Sequence, residues 1–324
     1  MADKNYCTVG FDTSNYTTSA AVCSLDGNVL LNLKLPLPVK PGERGLRQSD
    51  AVYAHVKNQP QLMTLLSRFL RENRLTPIAA AYSASPTTGE ASFMPCFMCG
   101  KAFAETFSAA LSIPVYPYTH QEGHIAAAVY SATGSLDMME KKMLAFHVSG
   151  GTTDILLCTP DKHRTAIARI GGSNDLHAGQ LIDRIGVMMN MPFPCGVHIE
   201  NAALEYTDNI KSIKISVEGL NCNLSGGENS AIKVYREYGT SACARFTLAF
   251  IEKTLDTLSK NLREKYPDLP IVYSGGVMSN KYISSCLAKR NRTYFASPAF
   301  SADNAAGIAL LACKRFNQAF GVNK

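Results

Sequence analysis

The sequence predicts an α/β protein made of two related halves. In each half, an apolar strand leads into a turn rich in Gly, Thr or Asp, and a second strand follows. These turns are residues 10–19 and 149–154. The 324-residue chain is 46% hydrophobic and 18% charged, which suits two packed domains and excludes wholesale disorder.

The first half is predicted to open with three strands. Residues 7–11 and 19–24 are apolar and β-prone. Asp26-Gly27 is a hairpin signal that leads into a third strand at 29–35. Residues 36–45 hold three prolines and two glycines, and they predict a loop.

Helices and short strands are predicted to follow. Apolar residues at helical spacing predict a helix at 49–73, in which Pro60 is an expected break. The rest of this half is predicted to contain strands at 79–83 and 115–116 and helices at 91–111 and 122–131.

The second half is predicted to repeat the opening with strands at 143–148 and 155–158. A later strand at 271–273 precedes a third glycine pair. We predict an N-terminal lobe of residues 1–119 plus 302–324 and a C-terminal lobe of residues 120–301. The C-terminal helix is expected to return to the first lobe.

Composition narrows the class of protein. No stretch approaches the roughly 20 apolar residues of a membrane span, and the first residues lack a signal-like apolar core, so we expect a cytoplasmic protein. The ten cysteines are scattered, which favours free thiols, and the pair Cys96 and Cys99 favours packing over redox or metal chemistry. The net charge of +6 is compatible with nucleic acid but does not demonstrate it.

Three small-residue turns point to a nucleotide. Residues 10–19, Ser149-Gly150-Gly151-Thr152 and Gly275-Gly276 each follow a predicted strand. Small residues let backbone N–H groups approach a phosphate, and hydroxyls add donors. Any one turn alone reads as an ordinary hairpin, but the three together favour an adenine nucleotide held between the lobes.

A metal site is indicated by His120-Gln-Glu-Gly-His124. Histidines at i and i+4 share one helix face and can reach one ion. The acidic residue stands at the third position of the motif, so the zinc-protease arrangement is absent. Alone, this pair reads more simply as two surface histidines. Asp303 opens a second predicted helix, where it could be a ligand, an N-cap or both.

These segments together resemble the tRNA threonylcarbamoyladenosine transferase family, formerly called O-sialoglycoprotein endopeptidases. The similar segments run in order along nearly the whole chain: residues 10–14, 119–124, 148–152, 170–184, 275–280 and 301–306. The resemblance implies the two-lobed actin/Hsp70/sugar-kinase-like α/β fold with duplicated ribonuclease-H-like subdomains.

The resemblance also implies the site residues and the reaction. His120, His124 and Asp303 would hold one divalent metal, zinc or iron, which acts as a Lewis acid. An adenylate would be surrounded by Ser149, Gly150, Gly151, Thr152, Asp175, Gly179, Gln180, Asp183, Gly275, Gly276 and Asn280. The implied activity passes a threonylcarbamoyl group from an acyl-adenylate to adenine in the tRNA anticodon loop. Partner proteins of that machinery, or a homodimer, would be expected.

Several positions depart from the family pattern. Tyr16 and Gln180 stand where acidic residues are expected, and Thr152 stands where a histidine is often found. Gln180 can still hydrogen-bond a ribose hydroxyl. We therefore predict a divergent paralogue rather than the housekeeping enzyme itself, and a changed donor or acceptor stays open as an alternative.

Two other functions stay open at this point. One is a non-catalytic paralogue that scaffolds a true transferase; the retained metal residues argue against it, and metal content would discriminate. The other is a small-molecule kinase or ATPase of the same fold, with Asp12 or Asp154 as the general base.

His147 is a further candidate metal ligand. It immediately precedes the second glycine turn. Its position resembles one at which some relatives have a tyrosine that binds the metal. The alternative is a histidine that bonds a backbone carbonyl at the strand end. Three imidazoles and one carboxylate would suit zinc or iron better than magnesium.

Overall fold

The computed structural model describes residues 5–14, 16–38, 46–87, 93–208, 210, 212–301 and 305–321. Its strands are β1 Asn5–Asp12, β2 Thr17–Ser24, β3 Val29–Pro36, β4 Leu75–Ser85, β5 Val115–Thr119, β6 Met143–Val148, β7 Thr153–Asp161, β8 Arg164–Ser173, β9 Ser216–Glu218, β10 Asn221–Asn223, β11 Ile271–Ser274 and β12 Thr293–Phe295. Its helices are α1 Gln48–Glu72, α2 Phe97–Leu111, α3 His120–Thr133, α4 Ala178–Met188, α5 Gly196–Leu204, α6 Ser225–Lys265, α7 Lys281–Leu287, α8 Pro298–Ser301 and α9 Ala306–Phe320.

Two compact units make up the chain. Unit 1 comprises Met1–Glu140, Pro160–Ile167 and Ala302–Lys324, and unit 2 comprises Lys141–Thr159 and Ala168–Ser301. The predicted division put residue 120 at the start of the second lobe, whereas α3 belongs by its contacts to unit 1. The reason is that α3 packs on α9 within that unit.

Unit 1 contains a five-stranded sheet in the order β3-β2-β1-β4-β5. The hairpin strands β1, β2 and β3 pair antiparallel, and β1, β4 and β5 pair parallel. Because parallel strands are buried on both faces, they read as apolar runs, as β1 and β4 do. The carboxyl ends of β1, β4 and β5 meet at one sheet edge, which is where ligands bind in open α/β sheets.

Unit 2 repeats this arrangement. Its seven-stranded sheet has the order β12-β11-β6-β7-β8-β10-β9. The run β8-β7-β6-β11-β12 corresponds to β3-β2-β1-β4-β5, again with an antiparallel opening pair and parallel β6, β11 and β12. The duplication predicted from the two strand-turn-strand openings is therefore present in the strand order of both sheets.

Helices pack on the sheets of both units. In unit 1, buried side chains of β1 and β4 form a core with α1 and α2, while α9 also contacts β1. In unit 2, α4, α5 and α6 contribute to the main core. Helix α6 is interrupted at Gly239, whose φ of 82° lies in the left-handed region.

The expected helix break at Pro60 is wrong. Helix α1 runs through Pro60 from Gln48 to Glu72. The buried face of Leu62, Leu66 and Leu70 continues beyond the proline, and this tertiary packing outweighs the lost backbone hydrogen bond. No helix among the described residues is both long enough and apolar enough to span a bilayer.

Candidate functional site

The N-terminus of α3 presents the histidine pair. Thr119 caps the helix: its Oγ1 accepts from the Glu122 N–H at 3.1 Å, and a Glu122 oxygen accepts from the Thr119 N–H at 2.8 Å. This reciprocal capping box fixes where the helix begins. His120 is consequently the first helical residue, and His124 lies one turn further along the same face.

The two imidazoles lie close together. Their ring centroids are 4.2 Å apart, and the rings meet edge to face. The Nδ1 atom of His120 lies 2.7 Å from Oδ2 of Asp12, at the carboxyl end of β1. The Asp12 side chain is only 1% exposed. Two imidazoles on one helix face form a nitrogen donor set that suits zinc or iron.

Glu122, the acidic residue of the motif, has a structural role. It is 1% exposed, and its carboxylate accepts bonds from the Arg164 guanidinium at 2.5 and 3.2 Å and from the Thr165 N–H at 3.2 Å. The carboxylate thus ties α3 to residues 160–167 of the same unit. These contacts agree with the inference that the motif lacks the general base of a zinc protease.

Asp303, the predicted carboxylate ligand, lies outside the described residues. Within the described parts of the chain, no group of three or more His, Cys, Asp or Glu side chains forms a metal-binding cluster. The start of α9, which follows Asp303 in sequence, packs directly on α3, since a Cβ on Gly307 would overlap the carbonyl oxygen of Gly123. Close approach of these helices is possible because both positions are glycine.

Both acids named for a kinase make polar contacts within their own units. The Asp12 carboxylate accepts from the Ser14 N–H at 2.6 Å in addition to its contact with His120. Asp154 is paired with Arg169 at 2.6 Å. Both carboxylates are committed to contacts within the protein.

The second glycine turn, in unit 2, is closed by its own hydrogen bonds. The Ser149 N–H donates to the Thr152 carbonyl at 2.8 Å, and Ser149 Oγ accepts from the N–H groups of Gly151 and Thr152 at 3.2 Å each. Gly150 and Gly151 are exposed, and a Cβ built on either would meet nothing within 4 Å. An open, exposed glycine turn of this kind leaves room for a phosphate.

Two other predicted glycines meet this turn within unit 2. The Gly179 N–H donates to the Ser149 carbonyl at 3.1 Å, and a Cβ on Gly179 would lie 2.6 Å from that oxygen. Gly275 has a φ of 95°, and its Cβ would overlap the Val148 carbonyl oxygen. Gly276, next along the chain, faces open space. Sequence segments far apart along the chain are thus brought together around residues 148–151.

The predicted nucleoside residues all make contacts within unit 2. Partial burial on its own raises the pKa of Asp175, but hydrogen bonds from Ser225 Oγ and three backbone N–H groups outweigh it and lower the pKa to about 2. Two of those N–H groups, Leu224 and Ser225, stand at the start of α6, so Asp175 stabilises that helix end. The nucleoside contact of Asp175 stays a prediction.

Gln180, Asp183 and Asn280 are likewise bonded to backbone. Gln180 Oε1 accepts from the His177 N–H at 3.2 Å at the start of α4. Asp183 accepts from the Cys195 N–H at 2.9 Å, and burial raises the pKa of its carboxyl. Asn280 caps α7 by accepting from the Ile283 N–H at 3.1 Å. The departure from Glu to Gln at position 180 therefore preserves a helix-start hydrogen bond.

His147 lies in β6 of unit 2. It pairs in register with Asp154 on β7 and with Ser274 on β11. The ring is partly exposed at the end of the strand, next to the glycine turn. Its role as a metal ligand stays a prediction.

Sequence reasoning missed two polar groups of unit 1. Asp12 was named only as a possible kinase base. It directly follows a predicted strand, and a predicted strand also precedes His120 by a few residues; that similar placement was the available signal. His55 is fully buried on α1, with Nδ1 2.9 Å from Thr18 Oγ1, and burial lowers its pKa to about 4. We find no pattern in the sequence that identifies His55.

The cysteines bear out the packing interpretation. All ten are free thiols, and Cys96 and Cys99 are buried. Burial raises the pKa of the Cys99 thiol, which makes it a poor nucleophile at neutral pH.

Comparisons with known proteins point to one family. A family model described as tRNA N6-adenosine threonylcarbamoyltransferase matches residues 58–310, more than half of the chain. The enzyme of that name from Methanopyrus kandleri is 25% identical over 312 residues, which cover 93% of this chain and 85% of the relative. The one from Streptococcus equi subsp. zooepidemicus is 27% identical over 317 residues, which cover 93% and 89%.

Solved structures confirm the predicted fold class. T. kodakarensis HypF matches with a TM-score of 0.59 and 11% identity, over 97% of this chain and 48% of that chain. The activator of 2-hydroxyisocaproyl-CoA dehydratase from Clostridium difficile matches with a TM-score of 0.52 and 11% identity, over 98% of both chains. The ROK hexokinase of Thermus thermophilus, a sugar kinase, matches with a TM-score of 0.50 and 13% identity, over 96% and 99%.

Proposed function

The chain belongs to the tRNA N6-adenosine threonylcarbamoyltransferase family, and on that premise we propose that it transfers a threonylcarbamoyl group from an acyl-adenylate to an adenine of the tRNA anticodon loop. In the proposed reaction the exocyclic nitrogen of adenine bonds to the carbamoyl carbon. The bond from that carbon to the phosphate oxygen breaks, AMP leaves, and the nitrogen releases a proton to solvent. The observation that carries the proposal is the anchored histidine pair of α3 in a chain with this family match.

A divalent metal is part of the proposal, and the residues present fit it. His120 and His124 offer two nitrogen donors from one helix face, and the Nδ1 of His120 is already engaged by a buried carboxylate. Asp303 would add the third ligand, and the helix that follows it packs on α3. A zinc or iron ion held there would supply Lewis-acid polarisation of the carbamoyl carbonyl.

The adenylate is proposed to bind at the glycine segments of unit 2. The exposed turn of Gly150 and Gly151 has no obstructing side chain, and Gly276 is equally open. Asp175 and Asp183 would contact the nucleoside, and Gln180 would contact a ribose hydroxyl. Because Gln180 replaces an acid, the site carries less negative charge around a phosphorylated ligand.

The acceptor and the setting are also proposals. tRNA is the acceptor that the family implies, and a changed acceptor is the alternative in a chain only about a quarter identical to its named relatives. Partner proteins or a homodimer, and a cytoplasmic location, accompany this proposal. A scaffold role is disfavoured because both histidines are retained, and a kinase role because the family match is to a transferase.

Native mass spectrometry tests the proposal. We expect one metal ion and one adenylate per chain when the purified protein is supplied with Zn²⁺ and threonylcarbamoyl-adenylate. Replacing both His120 and His124 by Ala should remove the metal and leave the fold intact, as judged by circular dichroism. Binding of neither ligand by the wild-type protein would contradict the proposal, and rapid ATP hydrolysis without a carbamoyl donor would favour a kinase or ATPase.

A further inference from the structure

We propose that Asp12 is a positioning residue that orients His120 so that its Nε2 atom binds the metal. The inference rests on the proposed function, because it assumes that the α3 histidines are ligands. It adds a residue from strand β1 to the two histidines of α3, and this residue would act on the metal only through His120.

The direction of the hydrogen bond follows from the chemistry of the two groups. An ionised carboxylate only accepts hydrogen bonds, so across the 2.7 Å contact the Nδ1–H of His120 donates to Oδ2 of Asp12. A neutral imidazole carries one N–H, so its other nitrogen, Nε2, holds the lone pair that a metal requires. The carboxylate thereby selects both the tautomer and the ligating atom.

The Asp12 carboxylate is itself held in place. Its second oxygen, Oδ1, accepts from the Ser14 N–H at 2.6 Å. Its backbone carbonyl accepts from Ser19 Oγ at 3.1 Å, next to it on β2. A side chain that is 1% exposed and bonded at both oxygens has little freedom to turn away.

His120 is constrained from its own side as well. The capping box of Thr119 and Glu122 fixes the first turn of α3, and the ring of Phe97 lies 6.1 Å from the His120 ring. The carboxylate–imidazole bond therefore joins two regular elements, β1 and α3. A partner that holds the second nitrogen of a ligating histidine raises its basicity and typically changes metal affinity 10–100-fold.

Metal affinity measures this effect directly. Co²⁺ binding is followed by its visible absorption and by competition with a chromophoric chelator. We expect Asp12→Asn, which keeps an oxygen acceptor but loses the charge, to weaken Co²⁺ binding about tenfold, and Asp12→Ala about 100-fold. Asp161→Ala, which removes an exposed carboxylate at the end of β7, is the matched control and should bind Co²⁺ as the wild type does.

A second measurement needs no variant. Long-range ¹H–¹⁵N NMR of the metal-free wild-type protein should show His120 as the tautomer protonated at Nδ1. The Nε2-protonated tautomer, or unchanged Co²⁺ affinity in folded Asp12→Ala, would overturn the inference. If Asp12→Ala and His120→Ala both bind Co²⁺ as the wild type does, the proposed metal site itself fails. If His120→Ala loses Co²⁺ and Asp12→Ala does not, the metal site stands and Asp12 has no positioning role.

Discussion

Replacing Gly276 by valine separates nucleotide binding from folding. Gly276 is exposed at the start of a short turn of 3₁₀ helix, residues 276–279, and a Cβ there would meet no atom within 4 Å. Its backbone lies outside the left-handed region, so a valine should fit without strain. We therefore expect the free energy of unfolding to change by less than about 0.5 kcal/mol, as for an ordinary surface substitution.

The affinity for nucleotide should change much more. The branched side chain would fill the space through which a phosphate approaches the backbone, and we expect the Kd for AMP to rise tenfold or more, which is about 1.4 kcal/mol. Isothermal titration calorimetry with AMP measures the Kd, and thermal unfolding measures stability. An unchanged Kd in the Gly276→Val protein would refute the reasoning and remove this turn from the site.

Two neighbouring experiments control for local disturbance. Gly275→Ala introduces a Cβ that overlaps the Val148 carbonyl oxygen at a φ of 95°, so it should destabilise the fold by about 1–3 kcal/mol. Ala110→Val, at an exposed position on α2 of unit 1, should leave the Kd for AMP unchanged and alter stability by less than about 1 kcal/mol. Only Gly276→Val should lose affinity while keeping stability.

Three further outcomes are expected. Burial lowers the pKa of His55 to about 4, below its unfolded value of about 6.5. The free energy of unfolding should therefore have its full value above pH 6.5 and fall by up to about 3 kcal/mol as the pH is lowered to 4, because the unfolded chain binds the proton first. Urea unfolding of His55→Gln should show a flatter pH dependence. Arg164→Met leaves the buried Glu122 without its cation and should lower the free energy of unfolding in urea by about 3 kcal/mol. His147→Ala should weaken Zn²⁺ binding about 10–100-fold after dialysis against a chelator.

Matched variants make these outcomes decisive. Arg184→Met breaks an exposed ion pair with Glu228 and should cost less than about 1 kcal/mol, so an equal loss in both arginine variants would contradict the burial argument. His163→Ala and His198→Ala should bind Zn²⁺ as the wild type does. If His147→Ala retains full metal occupancy, the fourth-ligand prediction fails and the proposed three-ligand site stands. A wild-type pH dependence in His55→Gln would show that His55 does not titrate during unfolding.

Local signals in the sequence predicted much of the fold. The strand at 143–148 matches β6 residue for residue, because a run of only six apolar residues that ends at a glycine turn favours a buried strand over a helix. The duplicated openings predicted two related halves, and the two sheets do share a strand order. Gly179 and Gly275, two of the glycines expected around an adenylate, pack against residues 148–150, where a side chain would overlap the backbone.

Contacts between distant residues were beyond the reach of the sequence. Pro60 was expected to break the helix at 49–73, but the residues around it are held by packing on the sheet. Asp12 and His120 are separated by 108 positions, and only the parallel arrangement of β1, β4 and β5 brings them together. Asp175 was predicted as a nucleoside ligand, whereas the contacts it makes in the structure stabilise the start of a helix that begins 50 residues later.

Transfer to tRNA is the most direct test of the proposed function. The metal-loaded protein would be incubated with threonylcarbamoyl-adenylate and unmodified tRNA, and the digested nucleosides would be analysed by mass spectrometry. We predict threonylcarbamoyladenosine in tRNA, formed with an equal amount of AMP and lost in the His120→Ala and His124→Ala proteins. Absence of the modified nucleoside with the wild-type protein, under conditions where a named relative forms it, would contradict the assignment of tRNA as the acceptor.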